Sequence, residues 1–328
     1  MSEISPVVSC IIISYNTRVM TLECLQVLFV DLGTNPAEVW VVDNASTDGS
    51  PQAIREAFPQ VKIIENHSNS GFGAANNQAM QRACGQFLLL LNSDAFLKPG
   101  AISTMVQYLK EHPRVGVVGP RLLNKDGSLQ RSCFRFSTPG VAWRENLWIS
   151  AFLPHWSPSG DYRRWKHDRQ RNVDFLIGAC MLVRREVFDQ VGGFDERFFM
   201  YSEEADWQKR IWNMDWEVVF VPTAEVTHLG GASGAAEKAR INQHFFDSLD
   251  YYEWKHHGLR GLVSVRLAMI VGGFLRLMGW GAVFLILPRR RAAARAKIRL
   301  LRWLTFRQAT RWRLPFAHYP GGSGASTQ

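Results

Sequence analysis

The chain alternates short apolar runs with polar clusters. Residues 7–14 (VVSCIIIS), 38–42, 61–65 and 87–91 (FLLLL) are the apolar runs of the first hundred residues. A continuous apolar run of this length predicts a strand buried on both faces, as in a parallel sheet. Between them lie helical stretches: one reaching about Leu32, one over residues 50–58, and one opening at Asn69-Ser70-Gly71-Phe72-Gly73 and running past Asn76 and Asn77 to Ala83. Strand, polar loop and helix alternate four times, which predicts an α/β, doubly wound, mostly parallel sheet flanked by helices.

Each apolar strand ends in a polar cluster: Ser14-Tyr15-Asn16, Asp43-Asn44, Asn69, and Asn92-Ser93-Asp94. In a parallel sheet these ends share one edge, and ligands bind beyond the carboxyl ends of the strands. Four polar ends on one rim predict a ligand site. A carboxylate at the Asp94 position can hold a hard divalent cation that neutralises phosphates. The same three residues, Asn-Ser-Asp, also suit a turn with no chemistry. Gly71-Phe72-Gly73-Ala74-Ala75-Asn76 is close to a dinucleotide fingerprint, but it follows the third strand and not the first, and Asn replaces the last glycine. It reads as a glycine turn that lets backbone approach a ligand or lets the helix start.

Further on, residues 100–111 predict a helix, 115–120 a strand, and Lys125-Asp126-Gly127 a turn into residues 129–131. Residues 138–171 resist a pattern; Trp143, Trp148, Trp156 and Trp165 stand among prolines and arginines, as a lid or acceptor loop or as irregular packing. Order resumes over 173–184, with a short helix at 185–191 before Gly192-Gly193-Phe194-Asp195. Ser202 is the expected N-cap of a helix through Asn213, with Glu203, Glu204 and Asp206 in its first turn. Acids there suit the helix dipole. The flanking FFMY and Trp207 would also bury them, and a carboxylate in an apolar frame can serve as a general base. Residues 217–221 form a strand. His228 follows another, before Gly230-Gly231-Ala232-Ser233, and is a candidate metal or phosphate contact.

Charge divides the chain. From Lys255 to the end there are fourteen Lys and Arg and no acid, whereas the first 254 residues hold 24 basic and 29 acidic side chains. An acidic body with a basic tail points the tail at an anionic partner, membrane or nucleic acid. Residues 262–287 are apolar except for Ser264, Arg266 and Arg276 and are long enough to span a bilayer. Two arginines near a helix centre each cost about 2.5–3.5 kcal/mol there. The arginines from Arg289 onward alternate with Leu, Ile, Trp and Phe, which favours interfacial or re-entrant attachment over a clean span. A helical extension packed on the body is the other reading. Residues 321–328 are expected to be a flexible end. Five scattered cysteines without a CxxC pair fit a reducing cytosol, and no leader peptide is expected at the N-terminus.

Taken in order and spacing, these clusters resemble the family-2 inverting glycosyltransferases of GT-A fold, in the bacterial rhamnosyltransferase-like branch, over roughly residues 6–255. The resemblance implies a GT-A domain, 1–257, which leaves 258–328 as the membrane-associated tail read from its charge and apolar pattern. It implies a nucleotide-sugar donor, with Ser14, Tyr15, Asn16, Asp43 and Asn44 at the base and ribose. Asn69, Gly71, Asn76 and Asn77 would lie beside nucleotide and sugar. Asn92-Ser93-Asp94 matches the family's DXD-type motif with Asn for its first acid, so Asp94, with His228, would hold Mg²⁺ or Mn²⁺. The family's Glu-Asp pair falls on Glu203-Glu204, a departure that makes Glu204 the implied base and leaves Glu203 and Asp206 as alternatives. The implied reaction is transfer of a sugar, rhamnose from dTDP-rhamnose, to a lipid-linked or surface-polysaccharide acceptor at the cytoplasmic membrane face. Two rivals are a nucleotidyltransferase on a similar sheet, which would release pyrophosphate, and a nucleic-acid-binding protein using the basic tail.

Overall fold

A computed structural model describes residues 6–149, 162, 165–230 and 238–310, with side chains from residue 244 onward in the last of these. In chain order the elements are β1 (Val8–Ser14), α1 (Arg18–Leu32), β2 (Ala37–Asp43), α2 (Ser50–Ala57), β3 (Lys62–Glu65), α3 (Phe72–Met80), β4 (Phe87–Asn92), β5 (Ala95–Leu97), α4 (Ala101–Glu111), β6 (Val115–Leu123), β7 (Leu129–Gln130) and β8 (Cys133–Phe134). They continue with α5 (Pro139–Asn146), β9 (Arg171–Asn172), β10 (Phe175–Leu176), β11 (Cys180–Arg184), α6 (Arg185–Val191), α7 (Glu203–Trp212), β12 (Glu217–His228), α8 (Lys238–Ile286) and α9 (Arg291–Thr310). The chain forms two compact units, Met1–Phe136 with Tyr162–Ser248, and Ser137–Asp161 with Leu249–Gln328. The sequence reading put its boundary at residue 257.

The first unit is built on a sheet of order β3-β2-β1-β4-β11-β6-β12-β5. β3, β2, β1 and β4 run parallel, as do β6 and β12, while β11 and β5 run antiparallel to their neighbours. The apolar run of β4 is buried throughout and that of β1 is buried except at Ile13, which is half-buried, because both faces are covered. Alternate residues serve opposite faces. Phe87, Leu89 and Leu91 join Leu25 and Leu28 of α1 and Met105 of α4 in one cluster. Leu88 and Leu90 join Ala79 and Met80 of α3 and Trp207 and Ile211 of α7 in the other.

Several local expectations change. The run at 173–184 contains the reversed strand β11, wedged between β4 and β6; a strand buried on both faces shows no direction in its periodicity. β12 is one strand of 12 residues and not two, with a register shift between Val221 and Glu225 next to Pro222, which cannot donate to the ladder. α3 stops at Met80, short of Ala83. Ser202 precedes α7 but does not cap it with its side chain; Tyr201 and Ser202 both take left-handed conformations, with φ of 69° and 66°. Within the unpatterned stretch, Pro139–Asn146 is helical and Thr138 accepts the Val141 N–H as its N-cap. Trp156, Gly231, Ala232, Ser233 and residues 321–328 lie outside the described residues.

In the second unit, α8 bends at Gly258, the one non-helical position within it. α5 packs on the part beyond the bend: Trp143 Nε1 donates to Ser264 Oγ at 3.1 Å, and Arg276 donates to Asn146 Oδ1 at 3.1 Å. Arg266, costly in a hydrocarbon setting, is buried against Asp250 in a two-bond ion pair, 2.8 and 3.3 Å.

Candidate functional site

Register fixes the rim. Ser14 is paired with Asp43 across β1–β2, and Ile13 with Asn92 across β1–β4, so the three polar strand ends lie side by side at the carboxyl edge. The loops beyond them knit together. Asn16 Oδ1 accepts the Thr47 N–H at 2.8 Å, and the Asn16 N–H reaches Ser46 Oγ at 2.9 Å. Asn44 Oδ1 accepts from Ser70 Oγ and Asn66 Nδ2, and Asn44 Nδ2 donates to the Gly71 carbonyl at 3.2 Å. Asn69 Oδ1 accepts the Gly71 N–H at 3.0 Å. At Gly71 φ is +86°, and a Cβ would overlap the Phe199 carbonyl oxygen, so this position needs glycine.

The candidate residues separate by what their side chains do. Ser14 and Ser93 are buried in a hydroxyl network with Thr17 and Thr21, at 3.0–3.4 Å, beneath the rim. Asn76 donates to the Phe72 carbonyl inside α3. Asn77 clamps the Phe194 backbone, accepting its N–H at 2.8 Å and donating to its carbonyl at 2.9 Å. Tyr15 is half-buried. Asp43 is nearly fully buried; Oδ2 takes the Ser46 N–H, and Oδ1 is buried with no partner among the described residues. A buried, unpartnered carboxylate oxygen at a ligand rim suits an N–H donor from outside the chain.

β5 pairs with the end of β12, His228 opposite Ala95, and the Leu229 N–H bonds the Asp94 carbonyl. This brings His228 Nε2 to 3.3 Å from Asp94 Oδ1. Gln130 sets the imidazole tautomer. Its Nε2 donates to the His228 carbonyl and to Asn124 Oδ1, both at 3.0 Å, so its Oε1 must accept the Nδ1–H at 2.6 Å. Nε2 then carries a lone pair, which the Asn92 amide meets at 3.4 Å. A carboxylate oxygen and an imidazole lone pair face to face at 3.3 Å make a donor set for a divalent cation. Among the described residues no three His, Cys, Asp or Glu side chains gather to complete a shell. The pair would hold a divalent cation only with further oxygen donors from a ligand or water.

The three acids of α7 differ sharply. Asp206 is fully buried and bonded to Arg210 at 3.0 Å, and Arg210 also donates to the Val191 and Gly193 carbonyls. That carboxylate ties α7 to the Gly192-Gly193 turn. Glu203 is buried, and burial, reinforced by the charge of Glu204, holds its carboxyl well above the ordinary range. Glu204 is half-buried and is pushed up to about 7, first by burial, while its own N–H and the Gly178 N–H pull the other way. One oxygen of each glutamate, Oε2, is buried with no partner among the described residues. Gly178 adjoins Ala179, whose carbonyl accepts the Asn92 N–H at 2.9 Å. The Glu204 carboxylate is thus bonded to the segment that borders the Asn92-Ser93-Asp94 rim. A carboxylate near pH 7 with a free lone pair is matched to general-base work.

Gln130, Thr17, Thr21, Arg210 and the Gly178 N–H escape sequence reasoning. Gln130 and Arg210 stand in no motif, and the hydroxyl network joins residues 76 apart in the chain.

A family model described as "Glycosyl transferase family 2" matches residues 9–192, more than half of the chain and including the Asn92-Ser93-Asp94 rim. The chain is 30% identical over 272 residues to the N-acetylglucosaminyl-diphospho-decaprenol L-rhamnosyltransferase of Mycobacterium tuberculosis, covering 74% of this chain and 85% of that protein. It is 29% identical over 220 residues to the O-antigen biosynthesis protein RfbC of Myxococcus xanthus, covering 66% of this chain and 17% of that one. The mannosyltransferase of Pyrobaculum calidifontis, solved in complex with GDP-Man and Mn²⁺, superposes with a TM-score of 0.54 at 19% identity, over 93% of this chain and 88% of that one.

Proposed function

Since the chain belongs to glycosyl transferase family 2 and carries the GT-A fold, an inverting glycosyltransferase, we propose that it is a rhamnosyltransferase. The donor in this reading is dTDP-rhamnose, and the acceptor is a lipid-linked sugar or surface polysaccharide at the cytoplasmic face of the membrane. Support for the sugar and the lipid comes from the mycobacterial relative, whose name states an L-rhamnosyl transfer to a diphospho-decaprenol.

One observation carries the chemistry: the Asp94–His228 donor pair and the Glu204 carboxylate border the same carboxyl edge of the sheet. Asp43 Oδ1 would take the N–H of the donor base. Asp94 and His228 would hold Mg²⁺ or Mn²⁺ against the donor diphosphate; once bound, the cation stabilises the departing negative charge. Asn69 and Gly71 shape the loop beside the donor, with Asn44, Asn66 and Ser70 fixing that loop. Asn76 and Asn77 support it from α3. Glu204 would accept the proton of the acceptor hydroxyl as its oxygen attacks the anomeric carbon from the face opposite the leaving diphosphate, which inverts that centre. Burial and the Glu204 charge both raise the Glu203 carboxyl well above the ordinary range, which disfavours two negative charges side by side.

The test is a screen of nucleotide sugars with the full-length protein and membrane extract, reading the nucleotide released and the lipid product. dTDP release with a rhamnosylated lipid is expected. Turnover of another donor in preference would refute the sugar assignment, and pyrophosphate release would favour a nucleotidyltransferase.

The same reading takes the tail, 258–328, as membrane-associated. Residues 244–286 have a mean hydropathy of 1.8 in their most apolar window, of which only 11% is buried.

A further inference from the structure

The tail's two long helices do not continue in one direction. A turn at Pro288–Arg290 reverses the chain, and α9 returns along α8. Contacts mark the return at three levels. At the turn, Arg291 donates to the Phe284 carbonyl at 3.1 Å. Midway, Gly273 packs on Thr305 with no room for a Cβ. At the open end, Arg307 lies 3.7 Å from Asp250, which already holds Arg266 at 2.8 Å. Arg266 and Arg307 are both nearly fully buried. Asp250 therefore pins the end of α9 to the part of α8 that precedes the bend at Gly258.

The hairpin has two unlike surfaces. On α8, Leu267, Val271, Phe274, Met278 and Leu285 are exposed at helical spacing, so they form one apolar stripe. On α9, Leu300, Trp303 and Phe306 are exposed in the same way. One residue round the α9 helix from these, Arg295, Arg299 and Arg302 are exposed at i, i+4 and i+7. With Phe284 and Ile298 these arginines line an open groove of about 340 Å³. Arg295 stacks on the Phe284 ring at 5.3 Å, which fixes one wall. Among the described residues no carboxylate pairs with the three arginines, and no acid follows Glu253 in the chain.

We infer that α8 beyond Gly258 and α9 form a monotopic hairpin that lies flat in one leaflet of an anionic bilayer, with a lipid phosphate seated among Arg295, Arg299 and Arg302. The apolar stripe supplies the surface for acyl chains, and the guanidinium groups supply the charge complement to the headgroup. α8 beyond the bend is about 42 Å long at 1.5 Å per residue, enough to cross a hydrocarbon core of about 30 Å. Its partner α9 rules crossing out. Arg291, Arg295, Arg299 and Arg302 occupy its first 12 residues of 20, about 17 Å of helix, so an upright hairpin would carry guanidinium groups through about half of the hydrocarbon core. Lying flat, all four sit at the headgroups. The inference rests on the membrane reading above and adds to it the depth, the topology and the contacting residues.

Full-length protein is floated with sealed vesicles of phosphatidylcholine alone and of phosphatidylcholine with phosphatidylglycerol. Wild type should bind the anionic vesicles far more tightly. Each basic residue at such a surface contributes a factor of about five, so the Arg295→Gln/Arg299→Gln/Arg302→Gln variant should lose roughly 100-fold. Arg299→Gln/Arg302→Gln, which leaves the Phe284 stack in place, should lose roughly 25-fold by the same factor, with an unchanged melting temperature. An equal charge change on the first unit, Arg82→Gln/Arg114→Gln/Lys125→Gln, should lose little. If the control falls as far as the triple variant, or the triple variant floats like wild type, the groove is not the contact. If wild type ignores anionic vesicles, the membrane reading itself fails. Tighter binding to single-stranded nucleic acid, lost in the same variant, would replace lipid by nucleic acid. Topology has its own readout. In a Cys84→Ser background, Arg290→Cys on bound protein should react with an impermeant maleimide added outside the vesicles. Protection of that cysteine would overturn the flat hairpin.

Discussion

Glu204 owes its character to where α7 begins. Burial raises its carboxyl to about 7, against the pull of two backbone N–H groups. A base must be ionised, so kcat/KM should rise with pH through about 7 and level off above it. Glu204→Gln should lower turnover about 10²–10⁴-fold and remove that acid limb, while Glu204→Asp retains more activity than Gln. Stability should run the other way. A carboxyl raised in the folded state contributes stability that is fully present below its unfolded pKa and is lost as pH rises through about 7. The Gln variant should therefore lose less melting temperature than wild type between pH 5 and 8. Asp206→Asn should act differently: it loosens the Arg210 tie and costs about 1.5–3 kcal/mol of stability first. A dead but normally stable Asp206→Asn beside an active Glu204→Gln would move the base to Asp206. Residue pattern alone left the three acids equivalent members of one helical turn, and only the family resemblance pointed to Glu204. Their difference lies in partners: Asp206 has Arg210 one helical turn on, whereas Glu204 has the N–H of Gly178, which is distant in the chain.

Among elements, the tail hairpin depends on one carboxylate. Asp250 faces two buried arginines, Arg266 at 2.8 Å and Arg307 at 3.7 Å. Removing one partner of a buried ion pair costs about 3–5 kcal/mol, because the remaining charge stays desolvated. Asp250→Asn should show that loss in denaturant unfolding of the full chain, whereas Lys110→Asn on the exposed end of α4 should show none. Equal stability of the two variants would mean that the hairpin's end is held by packing alone. Sequence reading saw Arg266 as a penalty inside an apolar run, since Asp250 lies 16 residues earlier, and saw nothing of Arg307. The strand order shows the same limit. The four parallel strands were legible because each apolar run is bounded by a polar loop. The reversed β11 was not, because burial on both faces hides direction.

For the molecule as a whole, activity should depend on a divalent cation held at the sheet edge. Chelation should abolish transfer and Mg²⁺ or Mn²⁺ restore it. Asp94→Asn should fail at metal concentrations that rescue wild type, with an unchanged melting temperature. His228→Gln should weaken the metal requirement's affinity and leave the fold intact. Normal turnover of Asp94→Asn in chelator would remove the carboxylate from the metal role.

Local chemistry alone determined a good part of this protein. Apolar runs long enough for one strand, each closed by polar residues, dictate a buried parallel core with its polar ends on one edge. The same logic placed Asp43, Asn44, Asn92, Ser93 and Asp94 together before any coordinates. The acid-free run of arginines and large apolar residues likewise marked the tail as a separate surface. Tertiary structure alone decided the pairings that set reactivity: Gln130 orienting His228, Gly178 holding Glu204, Asp206 spent on Arg210, and Asp250 closing the hairpin. These contacts join residues from 4 to 98 positions apart through burial and hydrogen-bond geometry. Periodicity reports only which face of its own element a residue occupies, so of these pairs only Asp206–Arg210, one turn apart on α7, lies within reach of a reading along the chain.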